Sequence, residues 1–411
     1  MRGDRLGVNG YRRPTTPGLD RLAQEGVSFP QAFSNASWTK PAMATLFTSL
    51  YPSSHFAIRA ASEPLAGDRG IALGEDLQTM AELYSAGGYR TGAFLVQPHL
   101  TSQLGFGQGF ETFQRLRGKS AARQNDLLRD WIAQPDPRPF FAWLHYLDVH
   151  WPYDRRPGHD LTAFGSTFVD PEPPRTQLDT LEHWKDRFLS PANLAGLVSR
   201  YDLGVAFVDE QVRDLVRGLE SQGLLADTVI VVTADHGEGF LEHGELGHGF
   251  TPYDEQIRVP LIFRLPGRFD VKSGSRATVV SLVDLLPTLL DLSGLPLPGD
   301  LQGTSFRDVL AGREDPDRLV FTQTEFGRSV RSATHKLIAL DSSHLELYDL
   351  RSDPEERHDL VAGGPCADLC RSLFARLRAL QARAVRRSGT GHGDAHLSPE
   401  DLEELRSLGY L

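Results

Sequence analysis

Apolar positions along this chain follow two rhythms. One is the three-to-four-residue spacing of helices with a single buried stripe, and the other is short unbroken apolar runs of the kind strands show when covered on both faces. Thr16 followed by Pro17-Gly18-Leu19-Asp20-Arg21-Leu22-Ala23 predicts a helix with Thr16 as N-cap, Pro17 at its first position and Gly26 as its stop. Pro41 and the residues after it predict a second helix, with Thr39 just ahead of its start. Further helices are predicted over residues 74–87, 123–133 and from Pro191 to Gln222, the last with a stripe through Leu194, Leu197, Val198, Tyr201, Val205, Val208, Val212 and Leu215. Strands are predicted from Thr91 to Val96, Phe140 to Leu144, Thr228 to Thr233, Val259 to Leu265 and Thr278 to Leu282, and a helix from Val283 to Leu292. The run from Thr228 to Thr233 is β-branched throughout and is expected to be buried on both faces.

Helix followed by buried strand is the unit of a parallel sheet, so the fold class is α/β, a mostly parallel central sheet flanked by helices. Beyond Gly303 the pattern changes. Leu319-Val320-Phe321, Lys336-Leu337-Ile338-Ala339 and Glu346-Leu347-Tyr348-Asp349 read as short strands of a small antiparallel sheet. We therefore divide the chain into a catalytic α/β domain, residues 1–302, and a C-terminal subdomain, residues 303–411. The latter is expected to end in a helix over residues 366–387, a flexible stretch at 388–391 and a short capped helix from Ser398. Residues 155–189, rich in proline and polar groups, form a long excursion suited to walling a pocket.

With 40% hydrophobic and 24% charged residues among 411, the composition is that of a globular chain with a large core. A formal charge of −11 and the lack of a Lys/Arg block exclude nucleic acid or an anionic membrane surface as the main partner. No apolar run reaches the ~20 residues of a membrane span. The two cysteines, Cys366 and Cys370, give no disulfide framework and read as ordinary helix residues.

Candidate chemistry gathers at three places. Thr39 puts a hydroxyl at a helix start, where backbone N–H groups favour an anion and a nucleophilic oxygen could attack a bound ester. Asp235-His236 follows the strongest strand, just beyond the carboxyl end where open parallel sheets hold ligands. A second His-rich turn, Glu242-His243-Gly244-Glu245-Leu246-Gly247-His248, lies close behind. Oxygen and nitrogen donors of this kind suit one divalent metal ion, Zn or Mn, or with more carboxylates Mg or Ca.

These stretches, with Leu46-Phe47-Thr48-Ser49-Leu50-Tyr51-Pro52-Ser53, His150-Trp151-Pro152-Tyr153, Arg258-Val259-Pro260-Leu261-Ile262 and Glu346-Leu347-Tyr348-Asp349-Leu350, resemble the sulfatase family of the alkaline phosphatase superfamily over nearly the whole chain. The resemblance implies a metal-dependent hydrolase or transferase of sulfate or phosphate esters on small molecules, glycans or lipid headgroups. It places the nucleophile at Thr39, metal ligands at Asp235, His236 and Thr39, a histidine contacting the ester or leaving group at His150, and, where the family usually has a lysine, His248.

Three departures shape the expectation. Sulfatases carry a cysteine or serine that matures to an aldehyde hydrate, and threonine cannot be converted that way; it looks more like the phosphoglycerol and phosphoethanolamine transferases. Met43 stands where sulfatases have an arginine. Family members also begin with an apolar strand ending in metal-binding aspartate, which this sequence does not include; Asp4 is a poor substitute. We expect the reading frame upstream of Met1 to encode that strand, with a periplasmic or extracytoplasmic location if a signal segment precedes it. A transferase and a non-catalytic binding protein are the alternative readings.

Overall fold

The computed structural model describes residues 1–55, 57, 69–118, 120–153, 191–341, 344–361, 368–384, 394–396 and 398–407. The predicted excursion at 155–189, the stretch at 388–391 and Cys366 lie outside the described residues. Cys370 is disulfide-bonded, which corrects its reading as an ordinary helix residue.

Arg90–Leu95, buried at all six positions, pairs in parallel with Thr112–Arg115 on one side and Phe140–His145 on the other. A second sheet runs in the order Gly274–Ser275, Val27–Ser28, Leu261–Arg264, Ile230–Thr233. In it Leu261–Arg264 is antiparallel to both neighbours. The single strand expected from Val259 to Leu265 is split at Pro260, which has no N–H to donate. Arg258–Val259 pairs with Ala32–Phe33 instead, in a third small sheet.

Phe140–His145 and Ile230–Thr233 are both sheet edges among the described residues, and every residue of both is half-buried. This corrects the expectation that the run ending at Thr233 is covered on both faces. Its β-branched composition describes the strand's affinity for a sheet, whereas exposure follows from having a partner on one side only.

The helices bury the stripes their spacing predicts, with boundaries set by caps. In Pro17–Glu25, Leu19, Leu22 and Ala23 meet Val208 and Val212 of the long helix Pro191–Ser221. The N-terminus of that first helix is satisfied from across the interface, by Asp209 accepting from Gly18 N–H at 2.9 Å and Leu19 N–H at 2.6 Å. Thr16 occupies the cap position without capping. The helix predicted over 74–87 is shorter, Met80–Ala86, because Thr79 and Glu82 form a capping box six residues late.

The C-terminal subdomain is a four-stranded antiparallel meander, Val320–Thr324, Gly327–Arg331, His335–Ala339 and Leu345–Asp349. Its second strand was not predicted, since Gly-Arg-Ser-Val-Arg is mostly polar. The helix Asp368–Ala384 covers the sheet through Cys370, Leu373 and Leu377. The last helix, Pro399–Ser407, returns to the first domain: Leu405 is buried beside Leu73 and Leu104, and Arg115 pairs with Asp401 and Glu404. No helix among the described residues is long and apolar enough to cross a membrane.

Candidate active site

The carboxyl ends of the two edge strands, Phe140–His145 and Ile230–Thr233, meet over the start of the helix Thr39–Thr48. That helix begins at Thr39 itself, with Trp38 extended ahead of it, so Pro41 falls in the first turn, where no N–H is missed. Between them lies a small cleft lined by Thr39, His145, His150, Asp235, His236 and Glu238, with Met1 at one side.

Thr39 is 1% exposed, and its Oγ1 stands 3.2 Å from His236 Nε2. His236 Nδ1 donates to the carbonyl of Gly237 at 2.8 Å, which leaves the Nε2 lone pair facing the threonine hydroxyl. Burial pushes the His236 pKa down to about 3, so the ring is neutral at ordinary pH. Asp235 Oδ2 lies 3.4 Å from His236 Nε2 and 3.8 Å from His145 Nε2. Burial opposes the charge on Asp235, yet the His236 and His145 imidazoles beside it hold the carboxyl well below its usual range.

The other two predicted histidines are anchored in the same manner. His150 Nδ1 donates to Trp151 O at 2.6 Å, and His248 Nδ1 donates to Glu238 Oε1 at 2.8 Å. Their rings lie 5.1 Å apart, and His248 is 4.1 Å from the His236 ring. Burial works against the Glu238 carboxylate as well, but the His248 imidazole at its side keeps its pKa low. Thr39, His150, Asp235, His236 and His248 thus come together in one place.

Sequence reasoning missed three neighbours. Gln97 Nε2 donates to Thr39 Oγ1 at 3.5 Å, His145 reaches Asp235, and Glu238 orients His248. Glu238 was legible as the carboxylate of the same strand-end turn; Gln97 had no signal beyond following a strand. His243, grouped with the site histidines by spacing, points away: its Nδ1 bonds Glu255 and its Nε2 bonds the carbonyl of Glu356. Asp4 is held by Arg2 at 2.8 Å, and Met43 is 3% exposed in the apolar core.

Among the described residues no group of three or more His, Cys, Asp or Glu side chains is arranged to hold a metal. The donors that do converge, an ionised Asp235, a neutral His236 with its lone pair inward and the Thr39 hydroxyl, fit a divalent ion in type and protonation.

Beyond its strand ends this α/β sheet gathers a hydroxyl, a carboxylate and several imidazoles, a set of groups chemically suited to an ester hydrolase. The chain belongs to the sulfatase family, which matches residues 1–295; residues 242–383 also match the C-terminal region of N-sulphoglucosamine sulphohydrolase. It is 24% identical over 400 residues to the Δ4,5-hexuronate-2-O-sulfatase of Bacteroides thetaiotaomicron, covering 87% of this chain and 81% of that one. The phosphonate monoester hydrolase of Agrobacterium radiobacter superposes with a TM-score of 0.76 at 23% identity, over 93% of this chain and 94% of that one. A structure solved with its substrate D-glucosamine-2-N,6-O-disulfate gives 0.75 at 20%, over 94% and 97%. The protein is accordingly a sulfatase-family ester hydrolase, from a family that generally uses a divalent metal.

Proposed function

We propose that Thr39 is the nucleophile of a two-step ester hydrolysis, and the contact between Thr39 Oγ1 and His236 Nε2 carries the reading. Asp235, His236 and Thr39 would hold one divalent ion, which lowers the pKa of the hydroxyl and polarises the ester. Thr39 Oγ attacks sulfur or phosphorus, and the bond to the leaving oxygen breaks. His150 or His248, its Nδ1 already donating to an anchoring oxygen, takes the Thr39 proton on Nε2 and passes it to that leaving oxygen. Water then attacks the sulfuryl or phosphoryl group on Thr39 and releases the inorganic anion. A threonine cannot expel that group by elimination, as an aldehyde hydrate can, so the second step requires an external acceptor. An alcohol in place of water would make the enzyme a transferase, a reading that the plain hydroxyl favours.

Related proteins named for sulfated hexuronate and glucosamine point to a glycan ester as substrate. The test is turnover of aryl sulfate, aryl phosphate and phosphodiester with Zn, Mn, Mg or Ca, followed by acid quench and peptide mass analysis. We expect a sulfuryl or phosphoryl group on the peptide containing Thr39. Turnover without that adduct removes Thr39 as nucleophile, and no turnover with any metal removes the catalytic reading.

A further inference from the structure

A dense set of buried charges lies on the far side of the site loop from Thr39. The backbone of Gly237 donates to Gln256 O and that of Glu238 to Glu255 O, each at 2.7 Å. Packing is so close that a Cβ on Gly237 would fall 2.0 Å from Glu255 O. The loop carrying His236 and Glu238 therefore rests on the segment Asp254–Ile257, and a shift in one moves the other. That segment is a single helical turn, too short to hold its own shape.

What holds it comes from the C-terminal sheet and the turn after it. Asp254 takes Arg331 Nη1 at 2.6 Å and Lys336 Nζ at 2.8 Å on its carboxylate. Its backbone N–H donates to Glu356 Oε2 at 2.8 Å, and Glu356 Oε1 lies 2.5 Å from Lys336 Nζ. His243 closes the ring, with Nδ1 2.8 Å from Glu255 Oε1 and Nε2 2.9 Å from Glu356 O. Both of its partners are acceptors, so both nitrogens carry hydrogen and the ring is a cation. Lys336 is 0% exposed, and Glu356, 2% exposed, sits at φ +56°, a left-handed conformation that a non-glycine residue adopts only when its surroundings impose it.

Buried ion networks add little net stability compared with well-packed apolar side chains, and their best-attested use is to specify one arrangement. We propose that Lys336 and Glu356 are positioning residues for ester hydrolysis: through Asp254 and His243 they fix the turn at Asp254–Ile257, and the turn fixes the loop that presents His236 and Glu238. The proposal rests on the reading of those two residues as part of the site. It assigns the C-terminal sheet a part in the chemistry although Lys336 and Glu356 themselves stand behind the loop.

The test compares the parent with Glu356→Gln, which keeps an acceptor for the Asp254 N–H, and with Lys336→Met. For each, kcat and KM are measured on an aryl ester, and hydrogen exchange is followed in the peptide spanning residues 235–240 and in the strand Arg90–Leu95. Misplacing reacting groups by about 1 Å costs on the order of 10²-fold. We expect kcat to fall about 10- to 100-fold with KM within about threefold, and exchange at Gly237 and Glu238 to quicken while the strand is unchanged. Glu356→Gln, the milder change, keeps the test open if Lys336→Met does not fold. A folded variant with parental kcat, or with lowered kcat and unchanged exchange at 237–238, overturns the proposal. The exchange measurement stands without turnover, so unchanged exchange in a protein inactive on every ester sinks the proposal separately from the catalytic reading.

Discussion

Thr39 and His236 are the pair on which the proposed chemistry turns, and their geometry makes a sharp demand. Thr39→Ala removes the proposed attacking oxygen but no cap, since the helix start shows no side-chain cap bond, so the fold should survive. We expect kcat to drop about 10³-fold or more with the melting temperature within a few degrees, measured by ester turnover and thermal scan. Thr39→Ser, which keeps the hydroxyl, should retain most of the activity. Asp235→Asn deletes the charged donor, and the bound metal counted by elemental analysis should fall along with rate. Unchanged metal content would take Asp235 out of the ligand set. At this scale the sequence showed which side chains could act and left out those, such as Gln97 and His145, that become relevant only through where they end up.

The site loop illustrates how an element is held by what it packs on rather than by its own residues. Gly237→Ala forces a methyl against the carbonyl of Glu255, a backbone atom that cannot rotate away. We expect a stability loss of about 1–3 kcal/mol by denaturant titration, with turnover falling further than stability because His236 is displaced. The Asp254 clamp adds a pH dependence. Burial disfavours its charge, but Arg331 and Lys336 outweigh burial and hold the carboxyl well below the unfolded value of 3.8. A depressed carboxyl stabilises the fold above its unfolded pKa and loses that contribution as pH falls through the folded one. The melting temperature should therefore drop on acidification below about pH 4, and the part of the drop due to this group should vanish in Asp254→Asn. An identical acid profile for the two proteins would show that the clamp carries no such contribution.

Across the whole molecule, the division at residues 302 and 303 reads better as a seam than as a boundary between independent units. Gln302 donates to the carbonyl of Arg383 at 3.3 Å, Tyr51 packs in one cluster with Phe321 and Leu347, and Leu405 of the last helix is fully buried among residues of the first domain. We expect a single cooperative unfolding transition rather than two, and Leu405→Ala should lower stability by about 2–5 kcal/mol. Two separated transitions would establish the domains as independent.

Periodicity and composition, by themselves, determined the longer helices, the strands with continuous apolar runs, the α/β class and three of the four strands of the meander after Gly303. Each of those follows from which side of an element is apolar, a property written locally. Thr39, Asp235 and His236 stood out at a helix start and a strand end, and the family resemblance added His150 and the role of His248. The tertiary structure alone decided that Ile230–Thr233 is half-exposed, that Pro260 divides one apolar run between two sheets, and that Asp209 caps a helix nearly two hundred residues earlier. It also separated His243 from its neighbours in the same turn and joined it to Lys336 and Glu356. These outcomes depend on which distant atoms fill a strand edge, an open N–H or a buried acceptor, and no local pattern records the identity of a partner that the fold supplies.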